Sequence, residues 1–234
     1  MKIMSFNTQH CLNYLERKID FQVMADAINR CGADIVGLNE MRDQGILEDY
    51  TAQVPALSDL TELKHHYFAK AIYFTGRGPY GNGFLSRYPI VSAETILIPD
   101  PQPRKYDGYY ETRCVLKAVL EGGITVLVCH FGLNPDEQEN AVKTICAHLA
   151  DTKCILMGDF NVLPEDPVLD PIRQRMKDTA DAFPEPLVSF PSDKPDRKID
   201  YIFVSPDVEV VAADIPAIVA SDHRPHTAEV AFSN

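Results

Sequence analysis

The stretch GITVLVCHFGLNPDEQENAVKTICAHLADTKCILMGDFN, residues 123–161, contains two apolar runs that both end in polar side chains. The first run ends on His130, and the second ends on Asp159, with Asn161 two positions later. Gly158 lets the backbone turn tightly before Asp159, and the i, i+2 spacing directs the Asp and Asn side chains to the same side. A core strand needs no polar residue at its tip. These endings therefore indicate a catalytic rim along one edge of a sheet.

Two more segments show the same arrangement. A third apolar run, residues 33–40, ends on Glu40, and the first strand of the chain ends on Asn7. Near the C-terminus, Asp222 and His223 are adjacent within a Ser-Asp-His-Arg-Pro segment. Carboxylates, amides and imidazoles that recur at strand ends favour metal binding and proton transfer over a purely structural use.

The composition narrows the class of protein. The 234 residues are 45% hydrophobic and 24% charged, which is typical of a single globular domain, here taken as 1–234. No apolar run reaches the length of a membrane helix and no signal-peptide core precedes the first strand, so we expect a cytoplasmic, monomeric protein without membrane insertion. The net charge of −12 disfavours a protein that coats nucleic acid. The six cysteines lack paired spacing and are expected to be reduced, buried thiols.

Strands outnumber helices in the hydrophobic pattern. Helices are expected over residues 18–31, from the N-cap Asn134 onward, and more briefly over 165–177. Strands are expected over 2–6, 33–40, 67–74, 81–86, 90–98, 112–120, 123–130, 153–159, 199–204 and 207–213. Ten strands with so few helices predict an α+β protein of mainly antiparallel sheets covered by helices, because a doubly wound parallel sheet needs a helix in nearly every connection.

Two Pro-rich segments, residues 99–107 and 184–197, are expected to be loops. The longer segment 98–113 collects three Tyr and three basic residues. Two interpretations of this segment are open: a solvated loop with aromatic anchors, or a flap that faces the substrate.

The residue types at the strand ends favour a hard cation. Oxygen donors such as Glu40 and Asn7 suit magnesium or manganese, and no soft ligand set for zinc accompanies them. His130 and His223 are the candidates for proton transfer or phosphate stabilisation. Adjacent side chains diverge on an extended backbone, so Asp222 does not orient His223, and Asp200 is the expected partner. The other histidines, His10, His65, His66, His148 and His226, are interpreted as structural or surface residues.

Six motifs occur in order along the chain: Ser5-Phe-Asn7, Leu38-Asn-Glu40, Tyr80-Gly-Asn-Gly-Phe-Leu-Ser-Arg-Tyr-Pro-Ile90, Gly158-Asp-Phe-Asn161, Lys198-Ile-Asp-Tyr-Ile-Phe203 and Ser221-Asp-His223. Any one of these motifs is weak evidence, but the ordered set is specific. It resembles the motif set of the endonuclease/exonuclease/phosphatase superfamily, which includes deoxyribonuclease I, exonuclease III, neutral sphingomyelinases and inositol polyphosphate 5-phosphatases. The resemblance covers residues 3–225 and implies a four-layer α/β/β/α sandwich of two mainly antiparallel sheets flanked by helices.

The resemblance also implies a role for each matching position. Glu40, Asn7 and Asp222 would hold or assist the divalent cation. The catalytic residues would be Asp159, His130, His223, Asp200 and Asn161, with Asp159 acting on the attacking water and Asp200 orienting His223. Asn161, Arg113 and Asn82 would contact the substrate phosphate. Asn39 departs from the family pattern, which usually has Gln before the metal-binding Glu, and we expect little consequence.

These observations predict a magnesium- or manganese-dependent phosphoesterase that uses an activated water. The expected substrate is a small-molecule or lipid-derived phosphodiester or phosphomonoester. An endo- or exonuclease acting on DNA or RNA is the alternative, disfavoured by the absence of a dense basic stripe. A catalytically silent binding module is a third hypothesis, but all four of Glu40, Asp159, Asp222 and His223 are retained. Substrate discrimination is expected in the loops 41–66, 99–112 and 184–197.

Overall fold

Two six-stranded sheets pack face to face in the computed structural model, which describes residues 1–183 and 187–232. The first three positions of the expected loop 184–197 and the last two of the expected domain lie outside the described residues. The helices are α1 (Phe21–Cys31), α2 (Gln53–Leu60), α3 (Pro135–His148) and α4 (Asp170–Arg173). The strands are β1 (Lys2–Asn7), β2 (Leu12–Asn13), β3 (Lys18–Ile19), β4 (Ile35–Arg42), β5 (His65–Phe74), β6 (Gly78–Ser86), β7 (Ile90–Leu97), β8 (Cys114–Leu120), β9 (Thr125–His130), β10 (Cys154–Asp159), β11 (Lys177–Asp178), β12 (Asp200–Val204), β13 (Val208–Asp214) and β14 (His226–Phe232).

The strand order makes both sheets mixed but mainly antiparallel. The first sheet runs β13-β14-β1-β4-β6-β5, and the second runs β11-β12-β10-β9-β8-β7. One pair in each sheet is parallel, β1 with β4 and β9 with β10, while the neighbouring pairs are antiparallel. The carboxyl ends of β1 and β4 therefore meet at one edge, as do those of β9 and β10. The predicted α+β class is confirmed.

Three apolar clusters separate four layers. One cluster joins α1 and α2 to the outer face of the first sheet, through residues such as Met24 and Leu38. A second fills the space between the sheets, where Ile35 and Met157 are fully buried. The third joins α3 to the outer face of the second sheet. The predicted α/β/β/α sandwich is therefore present. All six cysteines are free, and five of them are buried, as expected. Among the described residues, no helix has the length and apolarity that crossing a membrane requires.

The structure differs from the sequence prediction at several element ends. The helix expected from residue 18 begins at Phe21, because Lys18 and Ile19 pair with β2 and the Asp20 carboxylate caps the helix through the amide of Val23. The helix expected over 165–177 is reduced to a short 3₁₀ turn and α4, consistent with the two prolines in that segment.

Besides the two-residue strands β2, β3 and β11, two longer elements were not predicted. The helix α2 carries Pro55 near its start, which obscures the helical pattern. The strand β14 lies in the middle of the first sheet, between β13 and β1, although its sequence HTAEVAF is only weakly apolar. Pairing on both sides determines that strand, which is a tertiary effect that a local pattern does not contain.

Candidate active site

Asp159 is the centre of the site that the two sheets form. Its side chain is 2% exposed, and its Oδ2 atom accepts a hydrogen bond from Asn7 Nδ2 at 3.0 Å. The same oxygen lies 3.5 Å from His130 Nε2 and 3.5 Å from His223 Nε2. Burial raises the pKa of Asp159 to about 7, against the lowering effect of His223. A carboxylate with that pKa, flanked by two imidazoles, is suited to exchange a proton near neutral pH.

Strand register brings these side chains together. Asp159 lies opposite His130 on one side and opposite Asp200 on the other. The preceding Gly158 has φ +146°, and a Cβ atom there would lie 1.8 Å from the carbonyl oxygen of Cys129. Only glycine fits this close approach of β10 to β9, so the Gly-Asp pair in the sequence reflects a steric requirement.

The buried amide of Asn39 joins the two sheets behind Asp159. Its Nδ2 donates to Asn82 Oδ1 at 2.9 Å and to the carbonyl of Cys129 at 3.1 Å. Its Oδ1 accepts from the backbone amide of Asp159 at 2.9 Å. This residue, whose departure from the family pattern was expected to matter little, therefore connects β4 and β6 with β9 and β10.

The structure does not support a phosphate contact for Asn82. Its side chain is 2% exposed, its oxygen accepts from Asn39, and its Nδ2 donates to the carbonyl of Cys114 at 2.9 Å. With both ends of the amide engaged inside the sandwich, Asn82 supports Asn39 instead of facing a ligand.

His223 lies on one side of Asp159 with the orienting carboxylate that the sequence predicted. Its Nδ1 is 2.8 Å from Asp200 Oδ2, which also accepts from the Ser189 hydroxyl at 2.5 Å. Burial acts to lower the pKa of His223, but the carboxylates of Asp200 and Asp159 outweigh it and raise the pKa to about 10. The imidazole is therefore a cation at neutral pH, with one N–H directed to Asp200 and the other towards Asp159.

Replacing Asp200 with Asn is expected to lower the pKa of His223 from about 10 towards its reference value of 6.5 and to reduce activity. Because the folded-state pKa lies above the unfolded one, the charged imidazole contributes stability that is complete below pH 6.5 and is lost as pH rises through about 10. The variant should lack that dependence. NMR titration of the imidazole and denaturant unfolding across this window measure both effects. An unchanged His223 titration would assign Asp200 a structural part only.

His130 lies on the other side of Asp159 and is held differently. Arg113 Nη1 is 2.9 Å from His130 Nδ1 and 2.7 Å from Glu111 Oε1. A guanidinium can only donate, so Nδ1 accepts and the ring proton is on Nε2, the atom that faces Asp159. Burial lowers the pKa of His130 well below its usual value, and the charges of Arg113 and His223 lower it further. His130 is thus a neutral hydrogen-bond donor towards the site.

This geometry changes the role predicted for Arg113. Its guanidinium contacts the Nδ1 edge of His130, away from the Nε2 edge that faces Asp159, and its side chain is only 12% exposed. Arg113 therefore orients His130 from the Nδ1 side of the ring, and a direct phosphate contact is not supported.

Asn161 does lie in the site. Its backbone amide donates to Asp159 Oδ1 at 3.0 Å. Its side-chain Nδ2 donates to the carbonyl of Phe131 at 3.2 Å and also lies 3.2 Å from His130 Nε2.

The side-chain amide of Asn7 lies between the carboxylates of Glu40 and Asp159. A register shift between Leu38 and Met41 and a φ of +63° turn Glu40 out of the regular strand. Its Oε1 accepts from Asn7 Nδ2 at 3.1 Å. Burial raises the pKa of Glu40, and the nearby charge of Asp222 raises it further. A carboxylate in this condition is stabilised by a cation.

The donor set around Glu40 fits a divalent metal. Within residues 1–183 and 187–232, no Lys or Arg nitrogen lies within 4.0 Å of its carboxylate, whereas His10 Nδ1 lies 3.9 Å from it. Asn7 Nδ2 donates to Glu40 and Asp159. Asn7 Oδ1 accepts from the backbone amide of Gln9 at 3.0 Å, which leaves its second lone pair free. Carboxylate and amide oxygens are hard ligands.

Asp159, Asp200 and His223 also offer ligand atoms within 4.8 Å of one another. This group is less suited to a metal, because the imidazole is protonated on both nitrogens and already bonded to Asp200. Asp222 is half-buried, accepts from the hydroxyl of Ser221 at 3.0 Å, and is close enough for its charge to raise the pKa values of Glu40 and His223.

The loop 98–113 is fastened to the start of α3. Asp136 accepts from the amide of Lys105 at 3.1 Å and from the Tyr110 hydroxyl at 3.0 Å, and the Arg104 guanidinium lies 4.7 Å over the Tyr110 ring. Glu137 accepts from the amide of Glu111 at 3.2 Å. Of the two interpretations of this segment, the contacts of Tyr110 match the loop with aromatic anchors. The end of the loop places Arg113 against His130.

Sequence reasoning missed three residues of the site: Asn39, Ser189 and His10. Asn39 stood next to Glu40 in a matched motif, and Ser189 lay in a loop without any signal. His10 lies three positions beyond the end of β1 and was interpreted as structural or surface, because its sequence context gave no signal.

Comparison with known proteins identifies the family of the chain. The family model described as "Endonuclease/Exonuclease/phosphatase family" matches residues 4–223. No protein of curated function matches the sequence significantly.

Solved structures share the fold at low identity. An endonuclease/exonuclease/phosphatase from Beutenbergia cavernae DSM 12333 is 21% identical with a TM-score of 0.77, over 100% of this chain and 72% of that one. The mannosyl-6-phosphatase Bt3783 of Bacteroides thetaiotaomicron VPI-5482 is 17% identical with a TM-score of 0.76, over 99% and 100%. ANGEL2, a 2',3'-cyclic phosphatase, is 17% identical with a TM-score of 0.70, over 98% and 94%. Because the family model matches residues 4–223, the chain belongs to the endonuclease/exonuclease/phosphatase family of phosphoester hydrolases.

Proposed function

We propose that this protein hydrolyses a small-molecule or lipid-derived phosphate ester, a phosphodiester or a phosphomonoester, with a bound magnesium or manganese ion and an activated water. The observation that carries the proposal is the position of Asp159, between a cationic and a neutral imidazole and joined to Glu40 through Asn7. Phosphoryl transfer asks a protein mainly to position a water in line and to neutralise charge on the phosphoryl oxygens. This site offers groups for both tasks.

Asp159 is the residue that would orient the water and accept its proton. Its pKa of about 7 leaves a substantial fraction ionised at neutral pH, as a general base requires. His223 would stabilise the negative charge that develops on the phosphoryl oxygens, because Asp200 keeps it protonated. His130 would donate from Nε2, held in that tautomer by Arg113.

Glu40 would hold the metal ion, assisted by Asn7 and Asp222. When bound, such an ion supplies Lewis-acid polarisation of a phosphoryl oxygen. Asn161 would approach the scissile phosphate, since its side chain lies beside His130 and its backbone amide donates to Asp159.

The charge distribution supports a small substrate. The chain carries a net charge of −12. Two arginines near the site are already paired, Arg113 with Glu111 at 2.7 Å and Arg42 with Asp49 at 2.6 Å. A nucleic acid draws much of its affinity from successive phosphate contacts, which this arrangement offers poorly. Two similar structures are named as phosphatases, which also favours a phosphate ester.

A metal-supplemented screen should show faster hydrolysis of small phosphate esters than of plasmid DNA. Generic phosphomonoesters, generic phosphodiesters, sphingomyelin and supercoiled plasmid are compared at equal enzyme concentration and at two ionic strengths. Activity on the small ester should depend weakly on salt, because one phosphate is bound.

The Glu40→Gln protein, purified in the same way, is the control for contaminating nucleases in that screen. Plasmid nicking that exceeds every small ester, that falls steeply with salt and that disappears in the Glu40→Gln control would make the nuclease alternative correct.

A further inference from the structure

The turn that follows β1 has an unusual backbone. Gln9, His10 and Cys11 have φ angles of 46°, 48° and 62°, so three consecutive residues other than glycine are left-handed. Such runs are unfavourable for L-residues and persist only where surrounding contacts determine them. Strain of this kind beside Asn7, a residue of the candidate active site, calls for a reason.

Contacts on both sides hold the turn in place. The amide of Gln9 donates to Asn7 Oδ1 at 3.0 Å, and the carbonyl of Cys11 accepts from the amide of Asp20 at 2.8 Å. Fully buried Gln53 donates to the carbonyl of His10 at 2.8 Å and accepts from the amide of Arg42 at 2.8 Å. Through Gln53, the turn is tied to β4 two residues beyond Glu40.

The outcome of this arrangement is that His10 faces Glu40. His10 Nδ1 lies 3.9 Å from Glu40 Oε2, while the other carboxylate oxygen accepts from Asn7. The two side chains are 23% and 24% exposed, so both can be reached from solvent. Across the described part of the chain, neither ring nitrogen of His10 takes part in a hydrogen bond.

The imidazole of His10 can offer a ring nitrogen to a metal ion, because a neutral imidazole has a free lone pair. Arg42 is paired with Asp49 at 2.6 Å, which limits its repulsion of a cation.

We propose that His10 is a nitrogen ligand of the divalent cation held by Glu40, an inference that rests on the proposed function. Metal bonds of about 2.1 Å to nitrogen and to oxygen allow the two ligand atoms to be up to roughly 4.2 Å apart, and 3.9 Å satisfies that limit. Magnesium prefers oxygen ligands, while imidazole favours softer ions of the first transition row. With His10 as a ligand, the site is expected to bind Mn²⁺ more tightly than Mg²⁺.

The test is Mn²⁺ binding to metal-stripped protein without substrate, followed by electron paramagnetic resonance. His10→Asn removes the imidazole and keeps a residue that tolerates a left-handed backbone, and His10→Gly repeats the test without any Cβ. His66→Asn is the matched control, because His66 is an exposed histidine on β5. Circular dichroism and thermal unfolding verify that each variant is folded.

In the wild type and in His66→Asn, the bound Mn²⁺ should show spin-echo modulation from a directly coordinated ¹⁴N nucleus. Both His10 variants should lose that modulation and bind Mn²⁺ about tenfold or more weakly, with a smaller change for Mg²⁺. Modulation that persists in both His10 variants, or wild-type Mn²⁺ affinity in both, overturns the inference.

Glu40→Gln separates this failure from failure of the proposed function. If Glu40→Gln abolishes Mn²⁺ binding while the His10 variants behave as wild type, only the role of His10 is wrong. If Glu40→Gln binds Mn²⁺ as the wild type does, the metal site of the proposed function is wrong as well.

Discussion

Asp159→Asn is expected to lower kcat by about a hundredfold or more, equivalent to ~2.7 kcal/mol of barrier, with little change in KM. The Asp159 Oδ2 atom receives Asn7 Nδ2 and faces the Nε2 atoms of His130 and His223. An Asn in this position has neither the negative charge nor the capacity to take a proton. Steady-state kinetics on the best small ester measure the effect.

The pH profile of the wild type provides a second readout for Asp159. Because burial raises its pKa to about 7, kcat should rise as pH passes through that value and the carboxylate ionises. This rise should be absent from the residual activity of the variant. The folded-state pKa exceeds the reference value of 3.8, so the ionised carboxylate costs stability above that pH, and Asp159→Asn should be at least as stable as the wild type.

The exposed Asp59 on α2 supplies the matched control. Asp59→Asn makes the same chemical change outside the site and should keep wild-type kinetics. Wild-type turnover in Asp159→Asn, with the fold intact, would remove Asp159 from the mechanism.

Removal of the metal is the second large effect. A chelator should abolish activity, and added magnesium or manganese should restore it. Glu40→Gln should lower kcat/KM by about a hundredfold or more and weaken metal binding. Glutamine keeps an oxygen that can accept from Asn7, so the hydrogen bond to Glu40 Oε1 has a replacement.

Stability distinguishes loss of the metal from loss of the fold. Burial raises the pKa of Glu40, so its ionised form is disfavoured in the folded protein and a neutral Gln should not destabilise it. Glu48→Gln, on the exposed loop after β4, is the control for the substitution itself. Full activity in chelator, in a sample verified as free of metal, would contradict the metal dependence.

Much of the sheet pattern could be read locally. Strands such as β9 and β10 are buried on both faces and therefore consist of continuous apolar runs. The capping box at Asn134 marks the start of α3 in the sequence. The strand β14 and the helix α2 lack such signals, because pairing with two neighbours and packing against α1 determine them.

Local sequence patterns showed which residue types end the strands, and the ordered motifs that contain them resemble a family of phosphoester hydrolases. What each of these residues contacts depends on the tertiary structure. Asn82 turned inward to Asn39, and Arg113 passed behind His130 to fix its tautomer. His10, dismissed as structural, faces Glu40 because Gln53 ties a left-handed turn to β4. The physical reason is that a strand end specifies the side chain offered at the edge, while contacts between residues distant in sequence specify its direction and its charge.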